Sequence, residues 1–192
     1  WESSTGTFAP SIARPRDTRS ANIHSMRIAV AQLDQVVGDL AGNARRILDA
    51  THAAQRAGAA LVVTPELSLA GYPPEDLVLR PAFTDACARE LATLAAAVRG
   101  VTLLVGFPER RGGVRANAVA VVRDGVVAHV YRKHCLPNYT VFDEDRYFEP
   151  GDAPCVFDVD GVRVGTIICE DVWFPGPARA TRAAGAELVG VV

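Results

Sequence analysis

The sequence contains few cysteines, no long apolar run and no excess of charge of one sign. Its four cysteines, among 192 residues, include no C-x-x-C pair, which excludes zinc-finger spacing and is not typical of a disulfide framework. No apolar run approaches the roughly 20 residues of a membrane span. A formal net charge of −2 gives no electrostatic reason to expect nucleic acid or an anionic membrane as partner. These absences favour a protein of the reducing cytoplasm.

The first segment of the chain differs in composition from the rest. Residues 1–25 are rich in Ser, Thr, Arg and Pro, and they contain neither an apolar period nor the hydrophobic centre of a signal peptide. The only methionine, Met26, stands directly before the first strand-like run. We therefore expect a disordered leader at 1–25 and a single domain at 26–192. The apolar content of 49% is sufficient for a core of that size.

Hydrophobic periodicity predicts an α/β domain with a mixed sheet. Strand-like runs alternate with helical patterns in the first half, and two hairpins with Asp-Gly turns follow. The predicted strands are 27–32, 59–64, 101–106, 116–122, 126–131, 155–159, 162–168 and 187–192. The predicted helices are 42–57, 81–99 and 178–184. Because the sequence ends on an apolar strand, we expect the domain to be C-terminally incomplete.

Three of these strands are each followed directly by a reactive side chain. Glu66 follows the second predicted strand, Lys133 the fifth and Cys169 the seventh. Ligands bind at the carboxyl ends of the strands in open α/β sheets, so we expect the three side chains to converge there. A cysteine held where a strand breaks into a helix is accessible to substrate, which suits a nucleophile.

The three residue types together can perform nucleophilic catalysis. Cysteine attacks as a thiolate, a carboxylate can accept the thiol proton, and an ammonium can stabilise the oxyanion that forms. Taken singly, each residue has a simpler explanation. Glu66 and Lys133 are typical of solvated surface charges, and Cys169 is typical of a small buried apolar residue. Their shared placement favours the joint site.

Short motifs around these residues carry a family resemblance. The chain resembles the carbon–nitrogen hydrolase (nitrilase) superfamily in Pro65-Glu66-Leu67 with Gly71-Tyr72-Pro73, in Tyr131-Arg132-Lys133-His134-Cys135-Leu136-Pro137 and in Cys169-Glu170-Asp171. It resembles the amidotransferase domains of glutamine-dependent NAD synthetases more closely still, in segments 72–77, 136–139, 142–148 and 169–173. The resemblance covers residues 26–192.

The resemblance implies an αββα sandwich and a glutaminase activity. The side-chain amide of L-glutamine would acylate Cys169, with Glu66 as general base and Lys133 as stabiliser of the oxyanion. The backbone N–H after Cys169 would complete the oxyanion hole. The predicted substrate-binding residues are Tyr139, Glu144 and Glu170, and Glu144 would place either Lys133 or the substrate.

The resemblance also implies a larger protein. The ammonia released would serve the ATP-dependent amidation of deamido-NAD to NAD on a synthetase domain. That domain and its phosphate-binding loop are absent from this sequence. ATP and Mg²⁺ would belong to that domain, while the resemblance implies no cofactor or metal for this chain. The complete protein is expected to be a homo-oligomer.

Two alternatives remain open from the sequence. The first is a stand-alone amidase or N-carbamoyl amide hydrolase with the same three residues, which its choice of amide substrate would reveal. The second is a non-catalytic binding domain of the same fold. The presence of Glu66, Lys133 and Cys169 together argues against it, and an unreactive Cys169 thiol would support it.

Overall fold

The structure is a computed structural model that describes residues 26–192. The leader predicted at 1–25 lies outside the described residues. Two β-sheets form the centre of the described part, one of five strands and one of three.

The first sheet contains strands β1 (Ile28–Val30), β2 (Leu61–Val63), β3 (Thr102–Arg111), β4 (Val114–Arg123) and β5 (Val126–Arg132). They are neighbours in chain order, and β1, β2 and β3 are parallel. The pairs β3–β4 and β4–β5 are antiparallel. This mixed pairing agrees with the predicted mixed sheet, because helical crossovers join the parallel strands and short turns join the antiparallel ones.

The second sheet contains β6 (Cys155–Val159), β7 (Val162–Ile167) and β8 (Leu188–Val191), in that order. Three α-helices accompany the sheets: α1 (Leu40–Arg56), α2 (Pro81–Ala97) and α3 (Pro175–Ala183). Short 3₁₀ helices occupy Glu75–Leu79, Glu144–Arg146 and Cys169–Trp173. No helix among residues 26–192 is long and apolar enough to cross a membrane.

Alternate side chains of the first sheet pack against different layers. On β3, Leu103 faces a core shared with Ile47 of α1 and Leu94 of α2. Its neighbour Leu104 faces a second core, which includes Phe157 of the second sheet. This alternation follows from the two-residue period of a strand and explains why β3 is apolar on both faces.

The outer face of the second sheet packs on α3. A Cβ atom added to Gly165 of β7 would lie 2.1 Å from Cγ2 of Thr181, so only glycine permits this approach. The layers are therefore helix, sheet, sheet and helix, and the predicted αββα sandwich is confirmed.

The third predicted strand and the last predicted helix differ most from the structure, because each was predicted too short. The third strand continues beyond Gly106 to Arg111, because its antiparallel pairing with β4 extends to the Arg111–Val114 pair. The last predicted helix begins at Pro175 rather than at 178. Proline suits the first turn of a helix, because the N–H group that it lacks would have no hydrogen-bond partner within the helix.

Candidate active site

The predicted convergence of three strand ends is confirmed by the geometry. Glu66 lies just after β2, Lys133 directly after β5 and Cys169 at the end of β7. The Nζ atom of Lys133 is 2.7 Å from Oε1 of Glu66. Glu66 raises the pKa of the Cys169 thiol and Lys133 lowers it, as expected for charges close to the sulfur. The first and second sheets thus contribute to one site.

Lys133 forms the buried centre of this site. Its side chain is 0% exposed, and its ammonium donates to Glu66 and, at 2.8 Å, to Oε1 of Glu144. A buried ammonium is tolerated only when it is paired and hydrogen-bonded. Burial opposes the charge of Lys133, but the two carboxylates outweigh burial and raise its pKa above the ordinary lysine value. The residue is therefore a fixed positive charge at neutral pH.

Glu144 is a partner of Lys133 in the structure. It begins a 3₁₀ helix in the long connection from β5 to β6, and its own N–H donates to the carbonyl of Pro137. Burial raises the pKa of Glu144, as does the charge of Glu66, while Lys133 lowers it. Of the two roles that the resemblance implies for Glu144, this contact favours the placement of Lys133.

Asn117 joins the two carboxylates and was not predicted from the sequence. Its Nδ2 donates to Oε1 of Glu66 at 2.7 Å and to Oε2 of Glu144 at 3.4 Å. Its main-chain carbonyl accepts from the N–H of Lys133 at 2.9 Å. Both neighbours are acceptors, so the amide nitrogen must face them. The only signal in the sequence is that an asparagine stands between Ala116 and Ala118 in an apolar strand.

The turn that carries Glu66 packs against the backbone of Gly106, which has no side chain. A Cβ atom on Gly106 of β3 would lie 2.4 Å from the backbone nitrogen of Leu67 and 2.6 Å from the carbonyl oxygen of Pro65. The carbonyl of Gly106 also accepts from the N–H of Leu69 at 3.0 Å. The close approach of this turn to Gly106 therefore fixes the position of Glu66 relative to the sheet.

Cys169 occupies a strained turn between β7 and α3. Its φ angle is +37°, in the left-handed region that L-residues rarely adopt, and its N–H donates to the carbonyl of Val192 at 2.8 Å. The residue is exposed. Partial burial and the charge of Glu66 raise the thiol pKa to about 11, although Lys133 lowers it. The thiol is thus protonated at neutral pH, and attack requires a base such as Glu66.

Tyr139 and Glu170 form a pair beside the cysteine. The Tyr139 hydroxyl lies 3.1 and 3.0 Å from the two carboxylate oxygens of Glu170. Tyr139 is 52% exposed, whereas Glu170 is buried. Hydrogen bonding to Glu170 raises the pKa of the Tyr139 phenol. Both residues were predicted to bind substrate, and that role stays a prediction.

Tyr72 also belongs to the site, although the sequence indicated no role for it. Its phenol pKa is raised to about 12 by burial and then by the charges of Glu66 and Glu144. Cys169 raises it as well. Tyr72 is 43% exposed, so it is accessible to solvent, unlike the buried Lys133.

A cleft among the described residues lies elsewhere. It measures about 610 Å³ and is lined mainly by polar residues at the opposite end of the strands, among them Gln55, Asp124 and Asp160. It contains none of the residues that converge on Lys133. Because buried charge and a strained cysteine are concentrated at the other end, we assign the candidate active site there.

Comparison with known proteins agrees with this assignment. The carbon–nitrogen hydrolase family model matches residues 27–191. A protein named glutamine-dependent NAD(+) synthetase, from Xanthomonas campestris, is 50% identical over 169 residues; these are 86% of this chain and 31% of that protein. This chain thus spans about a third of the length of these curated relatives.

Solved structures give the same result. The glutamine-dependent NAD+ synthetase of Acinetobacter baumannii has a TM-score of 0.83 at 34% identity, over 87% of this chain and 32% of that one. An amidase from Nesterenkonia sp. has a TM-score of 0.73 at 32% identity, over 86% of this chain and 64% of that one. From its sequence and its fold, the chain belongs to the carbon–nitrogen hydrolase family.

Proposed function

We propose that this chain is the glutaminase part of a glutamine-dependent NAD synthetase. In this proposal Cys169, Glu66 and Lys133 hydrolyse L-glutamine to glutamate and ammonia. The observation that carries it is the ammonium of Lys133, buried between two carboxylates beside an exposed thiol. The names of the related proteins support glutamine as the substrate.

The first half of the reaction forms a thioester. The Cys169 sulfur attacks the side-chain amide carbon of glutamine while Glu66 accepts the thiol proton. The oxyanion is stabilised by the ammonium of Lys133 and by the N–H of Glu170. Glu66 then gives its proton to the amide nitrogen, the carbon–nitrogen bond breaks, and ammonia leaves.

The second half of the reaction restores the thiol. Water attacks the thioester carbon while Glu66 accepts a proton from it, and the same two donors stabilise the second oxyanion. The carbon–sulfur bond breaks, glutamate leaves, and the proton on Glu66 returns to sulfur. Glu144 holds Lys133 in place throughout, and Tyr139 and Glu170 contact the substrate.

The whole protein enters this proposal as well. We expect a synthetase domain that uses ATP and Mg²⁺ to convert deamido-NAD to NAD with the ammonia released here. The cytoplasmic location and the homo-oligomeric state of the complete protein stay predictions.

The experiment that tests the proposal uses the full-length protein with two nitrogen donors. In Cys169→Ala no thioester can form, so NAD formation with glutamine should fall by several orders of magnitude. Formation with ammonium should stay near the wild-type rate. Cys87→Ala is the matched control, because Cys87 is buried in α2. Equal loss with both donors in Cys169→Ala would overturn the ammonia-supplying role.

A stand-alone amidase is the second candidate. The observation in its favour is the match to the Nesterenkonia amidase, with a TM-score of 0.73 at 32% identity. Another structure of that amidase is described with acrylamide added at its active-site cysteine. Ammonia release from acetamide or from an N-carbamoyl amino acid, in excess of release from glutamine, would favour this candidate. An unmodified Cys169 after thiol labelling would favour a non-catalytic domain.

A further inference from the structure

Asp171 is a buried carboxylate that the proposed reaction does not use. It is 0% exposed, and it is absent from the ion pairs found among residues 26–192. A buried carboxylate without a cation must be satisfied by hydrogen bonds alone. Its partners therefore indicate what the carboxylate holds in place.

The two oxygens of Asp171 accept hydrogen bonds from two different strand ends. Oδ1 accepts from the backbone N–H groups of His134 and Cys135, at 3.0 and 2.8 Å. Oδ2 accepts from the N–H of Ile168 at 3.0 Å and from the hydroxyl of Tyr131 at 2.8 Å. These donors fill the acceptor capacity of a carboxylate.

The donors flank the two residues that must work together. His134 and Cys135 follow Lys133 directly, Tyr131 precedes it by two positions, and Ile168 precedes Cys169. The first group continues from β5 of the first sheet, whereas Ile168 continues from β7 of the second. No ladder of backbone hydrogen bonds joins β5 to β7, so their relative position depends on side chains.

We infer that Asp171 is a positioning residue that fixes the backbone of Lys133 against that of Cys169 across the two sheets. The inference rests on the proposed function only in that it takes the ammonium and the thiol to act together. Asp171 acts through Lys133 and not on the substrate.

The variant Asp171→Asn tests this with little change of shape. An asparagine has one carbonyl oxygen, and its NH₂ group must face one of the two sets of donors. Either His134 and Cys135 or Ile168 then loses its acceptor, and one strand end moves. A displacement of about 1 Å at a catalytic group lowers the rate by about 100-fold.

The first readout is the alkylation rate of Cys169 by iodoacetamide at pH 8, assigned by peptide mapping. Lys133 favours the thiolate, so moving it away should slow alkylation by about tenfold, as expected for a change of about one unit in thiol pKa. This readout needs no substrate and stays informative if glutamine proves not to be hydrolysed. The groups that face the thiol are Glu66, Lys133, Glu144, Tyr72 and Tyr139.

A double-mutant cycle separates positioning from general loosening of the fold. In a Lys133→Met background, Asp171→Asn should slow alkylation no further, because the charge through which it acts is gone. Leu94→Ala, in the core under α2, is the control for lowered stability and should leave the alkylation rate unchanged. An equal effect of Asp171→Asn in both backgrounds, or no effect at all, overturns the inference.

Hydrogen exchange of the wild-type full-length protein keeps the inference testable if Asp171→Asn does not fold. The amides of His134, Cys135 and Ile168 bond to one carboxylate, so a single opening event should expose them together. One common protection factor is the expected result. Exchange of Ile168 that is independent of His134 and Cys135 overturns the inference.

Discussion

The ammonium of Lys133 and the carboxylate of Glu66 are 2.7 Å apart although 67 positions separate the two residues in the chain. The contact joins the end of β5 to the end of β2, and both charges act on the pKa of the Cys169 thiol. Together with Glu144, it keeps the lysine charged at neutral pH. Activity and stability should depend on this contact and on the residues that hold it in place.

Replacing the buried lysine should reduce both activity and stability. Lys133→Met leaves Glu66 and Glu144 as neighbouring carboxylates with no cation between them. Removal of one partner from a buried ion pair costs about 3–5 kcal/mol of unfolding free energy. Denaturant unfolding at pH 7 measures this loss. It should shrink at low pH, where the carboxylates protonate; a loss independent of pH would contradict the buried charge cluster.

The reactivity of Cys169 should increase with pH across the neutral range. Its thiol pKa is raised to about 11, so the thiolate fraction grows about tenfold for each pH unit below that value. The alkylation rate of Cys169 between pH 7 and 10 should therefore rise with a slope of about one logarithmic unit per pH unit. A plateau that begins near pH 7 would show a thiolate already formed beside Lys133, and Glu66 would then not be needed as a base for attack.

Loss of the Asn117 amide should impair catalysis more than folding. Asn117→Ala removes the donor that Glu66 and Glu144 share, so the pKa of Glu144, which this hydrogen bond lowers, should rise. We expect kcat/KM for glutamine to fall by about 10-fold to 100-fold. Thr51→Val removes a buried hydroxyl in α1 and is the control, with activity unchanged. Activity of Asn117→Ala equal to that of this control would contradict the role of the amide.

A methyl group at Gly106 should displace the turn that carries Glu66. The added Cβ of Gly106→Ala would meet Leu67 and Pro65 backbone atoms at 2.4 and 2.6 Å. Overpacking of this kind costs about 1–3 kcal/mol of unfolding free energy, and kcat/KM should fall with it. Gly176→Ala in α3, where a Cβ atom meets nothing within 4 Å, is the matched control and should be neutral. Equal behaviour of the two variants would show that the turn adapts.

The sequence was sufficient to predict the elements of the fold and the strand ends that meet. Two-residue periodicity, Asp-Gly turns and first-turn prolines are local signals, and each has a local physical cause. The end of β3 at Arg111 was not predicted, because that end is fixed by pairing with β4.

The positioning roles of Asn117 and Asp171 were not found from the sequence. Asn117 and Asp171 make their contacts across strands or between sheets, so no sequence spacing reports them. Tyr72 lies within a recognised motif, but its position beside Glu66 depends on the fold. The predicted roles of Tyr139, Glu144 and Glu170 in binding substrate stay predictions, although each lies at the site.

Mass spectrometry of the full-length protein tests whether glutamine acylates Cys169. The protein is quenched in acid during turnover of L-glutamine, digested, and its cysteine peptides are compared with those of the Cys169→Ala variant. We expect a γ-glutamyl group on the Cys169 peptide of the wild-type protein, and no modified peptide in the variant. Ammonia release from glutamine that continues at the wild-type rate in Cys169→Ala, or a γ-glutamyl group on another residue, would contradict it.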